Sequence, residues 1–359
     1  MVIAHNVQLL EAPQLTGATK VAFYALSQGW IGVLLFFVLS GFLITGILLD
    51  SIGQPRALGH FMARRALRIF PLYYGALFII FVLLPMLGAQ PSIYKAQAPY
   101  QVWLWTYLSN WTDPMGVGPM ALPHFWSLAV EEQFYLFWPL VVYALRQHTR
   151  VIWACLFLAL VGPLSRASVL HAGLPIDAAY TWTFCRIDAL AMGAMAATCW
   201  RIPSFVNWVQ THRWRLVACV GLVFTVSAGL SHGFARTSFL GMVVGYSGLS
   251  IAFAALIYAA ADQDSKVDDT PNQPLWQRTL HLPLLKTIGK YSYGMYVIHK
   301  PLHDLLSETM LTRLNFITEG NTVNACAHIA AVTVASFLAA WLSYNLYEIH
   351  FLRLKRHFV

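Results

Sequence analysis

Long apolar segments alternate with short polar stretches along the whole chain. Nine of them lie near 29–49, 70–88, 126–145, 151–170, 183–200, 216–232, 238–261, 286–305 and 324–346. A helix needs about 20 apolar residues to cross a bilayer, so each segment is a candidate span. Residues 1–10 add a partial segment that reads as the second half of a helix, which brings the total to about ten. The predicted fold is therefore all-α, a polytopic bundle of about ten transmembrane helices whose first helix is truncated. Residues 101–111 are aromatic but too short to cross, and are expected to lie at the interface or to re-enter. The stretch 262–285, with Asp264, Asp268, Asp269, Pro271 and Pro274, reads as a cytoplasmic linker within one domain of residues 1–359. No internal repeat and no appended soluble domain is visible.

Composition agrees with this reading. Hydrophobic residues make up 58% of the chain and charged residues 11%, far below the roughly 25% of a soluble domain. The net charge of +8 would suit nucleic acid if it formed one run. It falls instead in short clusters between apolar segments, the pattern of charges that orient spans, which argues against a nucleic-acid partner. Assigned to alternate sides, fifteen Lys and Arg fall on one set of loops and six on the other, Arg166 among the six. The richer side is expected to be cytoplasmic, and both termini with it. No cleavable leader is apparent at Met1-Val2-Ile3. The five cysteines (Cys155, Cys185, Cys199, Cys219 and Cys326) show no zinc spacing and read as small buried hydrophobes, so no metal is expected.

Ionisable residues inside apolar segments carry the chemistry, because each costs about 2.5–3.5 kcal/mol to insert. They are His5, Glu131, Glu132, Arg186, Asp188, Lys290 and His299. At about 1.5 Å rise per residue, Glu131 and Asp188 lie about 7.5 Å inside their spans from the outer side. His299 lies about 20 Å up from the cytoplasmic start of its span, and His5 reaches a similar level. Four groups from four helices thus converge on one layer, as a site would require. Each also has a structural reading: an intramembrane His can bond a neighbouring helix, and Arg186 and Asp188, two positions apart, would need separate partners. Arg64, Arg65 and Arg68 sit in the basic stretch before the second full span, where sidedness alone could account for them. Arg65 and Arg68 would share one helical face and can fork onto phosphate oxygens. Trp103, Trp105, Trp111 and Trp126 are expected around the outer mouth, where aromatic faces suit sugar rings and interfacial tryptophan is also ordinary.

Several blocks together give the chain a family resemblance. They are Ile3-Ala4-His5, Phe36-Phe37-Val38-Leu39-Ser40-Gly41-Phe42 and Arg64-Arg65-Ala66-Leu67-Arg68 through Pro71. Further on come Trp126-Ser127-Leu128 through Glu131-Glu132-Gln133-Phe134-Tyr135, Arg186-Ile187-Asp188 with Gly193, Ser292-Tyr293-Gly294 through Tyr296 to His299, and Ser343-Tyr344 through Glu348. Over essentially its whole length the chain resembles the integral-membrane acyltransferase family 3, bacterial O-acetyltransferases of surface polysaccharides and related acceptors. The resemblance implies a multi-pass protein of the bacterial inner membrane that moves an acyl group, usually acetyl, from acyl-CoA to a hydroxyl of a carbohydrate or glycolipid. Acetyl-CoA would be a donor substrate rather than a bound cofactor.

Carried over by position, His5 matches the family's essential histidine, Arg65 and Arg68 its donor-handling pair, and Glu131 the acidic residue of the fourth span. In the family an arginine stands eleven positions before the histidine, a position that would precede residue 1 here, and Glu348 lacks the proline that usually follows two residues later. Histidine titrates near working pH and suits a general base for a hydroxyl. Glu131 or, second, Asp188 would orient it. Arg64, Glu132, Arg186, His299, Ser292, Tyr296 and Trp126 are possible supporting residues. A transporter or flippase of a lipid-linked sugar, or a degenerate non-catalytic relative, are the alternatives.

Overall fold

In a computed structural model of the chain, residues 2–6, 28–118, 121–231, 234, 238–264, 282–313 and 322–358 are described. They are helical almost throughout, and no strand occurs among them. The long helices fall where the apolar segments predict them. A short helix, α1 (Val2–Asn6), is followed by α2 (Ile31–Asp50), α3 (Ala57–Phe78), α4 (Phe125–Leu145), α5 (His148–His171) and α6 (Thr183–Trp200). Then come α7 (Pro203–Leu230), α8 (Tyr246–Asp264), α9 (Pro283–Arg313) and α10 (Thr322–Ser343). Most of the expected linker, residues 265–281, lies outside the described residues.

Among the described residues, six helices are both long and apolar enough to cross a membrane. The other three long helices, α4, α6 and α9, have 21, 18 and 31 residues, and carry Glu131, Asp188 and His299. Ionisable groups lower their hydropathy without shortening them. The chain is a multi-pass, all-α membrane protein. Its lipid-facing surface is plain on α7, where only 6% of the most apolar window is buried and Trp214, Val217 and Leu222 are exposed. Water would not tolerate an apolar helix so little covered; hydrocarbon would.

Two boundaries differ from expectation. Helix α3 begins at Ala57 rather than near 70, so Arg64, Arg65 and Arg68 lie on helical turns and not in a basic loop. Residues 203–215 are helical as well, with a kink at His212 (φ −107°, ψ 15°). In both places the helix outruns the apolar span, because a backbone leaving the bilayer can stay helical while its side chains turn polar. The 101–111 stretch forms two short helices, Val102–Trp105 and Ser109–Thr112. Its buried Asn110 donates to Thr181 O (3.2 Å) and Thr183 Oγ1 (3.0 Å), and Gln133 of α4 donates to Tyr107 O (2.8 Å). Irregular backbone that is buried needs such partners. Cys155, Cys185 and Cys199 are buried as expected; Cys219 and Cys326 are exposed.

The chain divides into two compact units. One comprises Met1–Val33, Ala63–Pro99 and Asp269–Val359; the other comprises Leu34–Met62 and Tyr100–Asp268. In the second unit α5 packs along α6, and α6 against α8. There α2 and α6 cross in backbone contact: a Cβ on Gly193 would sit 1.8 Å from Val38 O, and one on Gly41 2.0 Å from Leu190 O. Small residues at a membrane crossing permit this approach. In the first unit α9 packs along α10, and α1 touches both.

Candidate functional site

In the second unit Glu131 is buried on α4. One turn on, Tyr135 donates its hydroxyl proton to Glu131 Oε1 at 3.0 Å. That proton being used, Ser40 Oγ of α2 is left to donate to the Tyr135 oxygen, which it touches closely. The blocks around Ser40 and Glu131, separate in sequence, are therefore joined by a hydrogen-bonded chain. Glu132, beside it, is half-buried.

Asp188 has partners of another kind. Arg166 of α5, fully buried, donates Nη1 to Asp188 Oδ1 (3.1 Å) and Nη2 to Oδ2 (2.7 Å). Ser247 of α8 donates to Asp188 Oδ2 (2.9 Å) and receives Arg166 Nη2 (2.7 Å). Arg166 Nη1 also reaches Cys185 O. A bidentate, charge-assisted pair of this kind satisfies both carboxylate oxygens. Gly162, one turn before Arg166, makes room: a Cβ there would lie 2.5 Å from Asp188 Cγ. Arg166 is thus no outer-loop charge, as its position near the end of a span implied, but half of an ion pair linking three helices.

Arg186 goes its own way, as the two-residue spacing requires. Its Nε donates to Tyr180 O (2.6 Å). Its guanidinium lies over the rings of Tyr180 (4.2 Å), Tyr246 (4.5 Å) and Trp126 (5.5 Å). Desolvated contacts of this type are worth about 2 kcal/mol. Trp126, expected around the outer mouth, is buried against Arg186 and Phe37.

The first unit holds the basic residues. A shallow, open recess is lined by Arg68 of α3, by Lys290, Tyr291, Tyr293 and Gly294 of α9, and by Ala340, Tyr344, Glu348 and Leu352. Lys290 Nζ lies over Tyr344 (4.4 Å) and Tyr291 (5.1 Å), and Tyr293 donates to Ile69 O (2.8 Å). Glu348 accepts from Ser343 (3.0 Å). Lys355 lies within electrostatic reach of Arg64, Arg65 and Arg68, so cationic charge gathers beside the recess. Arg65 is half-buried and is not among the lining residues. Ser292 is exposed and bonds its own helix at Gly289 O (2.8 Å), away from the recess. The sequence marks Lys290 as an ionisable residue inside an apolar segment; only the structure shows the two tyrosine rings it lies over.

His5 lies in α1; its side chain is outside the described residues. His299 is fully buried on α9. Its Nδ1 is 2.6 Å from Tyr296 O, its ring 5.6 Å from that of Tyr296, and its Nε2 3.0 Å from Asn6 Nδ2. Asn6 drew no attention in the sequence because it is not ionisable. Among the described residues no group of three or more His, Cys, Asp or Glu is arranged to hold a metal.

A family described as an acyltransferase domain matches residues 1–345. An O-acetyltransferase, OatA, of Staphylococcus aureus (strain NCTC 8325) is 32% identical over 301 residues, covering 77% of this chain and 46% of that protein. The peptidoglycan O-acetyltransferase OatA of Listeria monocytogenes is 28% identical over 339 residues, covering 89% of this chain and 51% of that protein. The chain thus spans about half the length of these curated relatives. No solved structure matches it. With the match running through α1, α4, α6, α9 and most of the last helical stretch, the chain belongs to this acyltransferase family.

Proposed function

We propose that the chain is a membrane O-acyltransferase that carries an acyl group, acetyl in the first instance, from acyl-CoA to a hydroxyl of a carbohydrate or glycolipid. The observation that carries this reading is the acyltransferase match over residues 1–345. Relatives named as O-acetyltransferases, one of them of peptidoglycan, favour a glycan acceptor.

The assigned roles follow from the chemistry of each group. His5 takes the proton of the acceptor hydroxyl as its oxygen attacks the thioester carbonyl. The C–S bond then breaks, and the thiolate leaves and recovers a proton as free thiol, so that an ester and CoA are the products. Glu131 orients and steadies the imidazolium. Asp188, the second choice, is paired with Arg166 and Ser247. The recess beside Arg68 and Lys290 suits the phosphates of the donor, which would arrive from the cytoplasmic side, with Arg65 as the second donor-handling cation.

The test is purified protein with labelled acetyl-CoA and a peptidoglycan or other glycan acceptor. Label transfer with release of free thiol, abolished in His5→Ala, supports the reading. Acetyl-CoA left intact by a well-folded preparation, across glycan acceptors and in membranes as well as detergent, overturns it.

A further inference from the structure

We infer that His299 is a positioning residue, which together with Asn6 holds α1, the helix that carries His5, in its working place. The inference rests on the reading of His5 as the base.

It begins with the protonation of the His299 ring. Nδ1 lies 2.6 Å from the carbonyl oxygen of Tyr296. A carbonyl can only accept, so Nδ1 carries the proton. In a neutral imidazole Nε2 is then bare and must accept, and the amide nitrogen of Asn6 stands 3.0 Å from it. Both nitrogens are engaged, and the ring is fully buried. A second proton would have to displace the Asn6 amide. His299 is therefore built as a fixed acceptor and not as a second base.

Among the described residues, three contacts tie α1 (Val2–Asn6) to its neighbours within its own unit. Ile3 packs against the cluster of Tyr291, Met295 and Ala340. Val2 fills the space above Gly32, where a Cβ would come within 2.7 Å of its Cγ2. Asn6 supplies the third, a directional one, through His299. His5 lies between the apolar anchor at Ile3 and the polar anchor at Asn6. Apolar packing resists separation but permits sliding and rotation; a buried hydrogen bond to a ring that is itself pinned to Tyr296 O fixes both.

The experiment is a double-mutant cycle on acyl transfer with His299→Leu, Asn6→Leu and the pair, with His299→Gln as a conservative variant whose side-chain amide reaches toward the Nε2 position. A misplacement of about 1 Å can cost on the order of 100-fold in rate. Each single variant is expected to lose between tenfold and 100-fold in kcat with little change in KM for the donor. The double variant should be no worse than either single, since each removes the same contact, and His299→Gln should regain most of the turnover. Additive losses in the cycle, or a His299→Gln variant as inactive as His299→Leu, overturn the inference. His5→Ala is assayed beside them: full activity there defeats the assignment of the base and leaves the Asn6–His299 coupling to be read separately from thermal unfolding of the same four proteins.

Discussion

Replacing Gly193 by alanine tests the close crossing of α2 and α6. The added Cβ would lie 1.8 Å from Val38 O and 2.8 Å from Phe42 N. To bring the first contact even to 3.0 Å, the tightest that real Cβ atoms show, the helices must part by about 1.2 Å at that point. The obstacle is a backbone carbonyl, which cannot swing aside as a side chain would. Overpacking costs about 1–3 kcal/mol, occasionally more, and this position belongs at the top of that range. Thermal denaturation of detergent-solubilised protein, followed by loss of the monodisperse fraction, measures the effect. Gly221→Ala on α7 is the control, because nothing lies within 4 Å of its added Cβ and alanine is the better helix former by about 0.5–1 kcal/mol. If Gly193→Ala unfolds at the same temperature as Gly221→Ala, the backbones are not in contact and the argument for the crossing fails.

Three further outcomes are expected. Asp188→Asn should destabilise by about 3–5 kcal/mol, since it leaves Arg166 charged and buried; Asp188→Leu combined with Arg166→Met should recover much of that loss in the same unfolding assay. Glu131→Gln should lower turnover while the unfolding temperature is kept, and unchanged kcat would remove the carboxylate from the mechanism. Arg65→Ala/Arg68→Ala and, separately, Lys290→Ala should raise the apparent KM for acyl-CoA more than they lower kcat, the more so at low salt; a donor KM untouched by all of them would leave these cations a purely topological role.

Much of the fold was legible in the sequence because a bilayer simplifies the problem. Apolar length alone located α2 and the helices from α4 to α10, and internal polarity marked α4, α6 and α9 as helices with something to hide. What escaped was non-local. Arg166 sits near the end of an apolar run and counts as a loop charge until its partner on α6 is known. The early start of α3 at Ala57 lies in a segment too polar for a hydropathy threshold yet rich in Ala, Leu, Met and Arg, all good helix formers. The candidate site was legible in its residue types more than in its pairings. The two-residue spacing of Arg186 and Asp188 predicted separate partners and was met by Arg166 on one side and an aromatic cage on the other. The common depth expected for Glu131, Asp188 and His299 from the sequence gave no hint that each answers to different neighbours. Ser40, Tyr135 and Asn6 are neutral, and only geometry reveals what they tie together.

The π-helical turn at Tyr344–Glu348 has a consequence for how the last helical stretch is phased. A turn of this kind accommodates one more residue than an α turn, and at 3.6 residues per turn one residue swings everything beyond it by about 100°. Leu352, beyond that turn, lines the recess beside Arg68. The bulge works as a gearing tooth: shaving off one residue there would restore ordinary winding and turn the whole C-terminal tail, Leu352 and Lys355 included, to a different compass bearing.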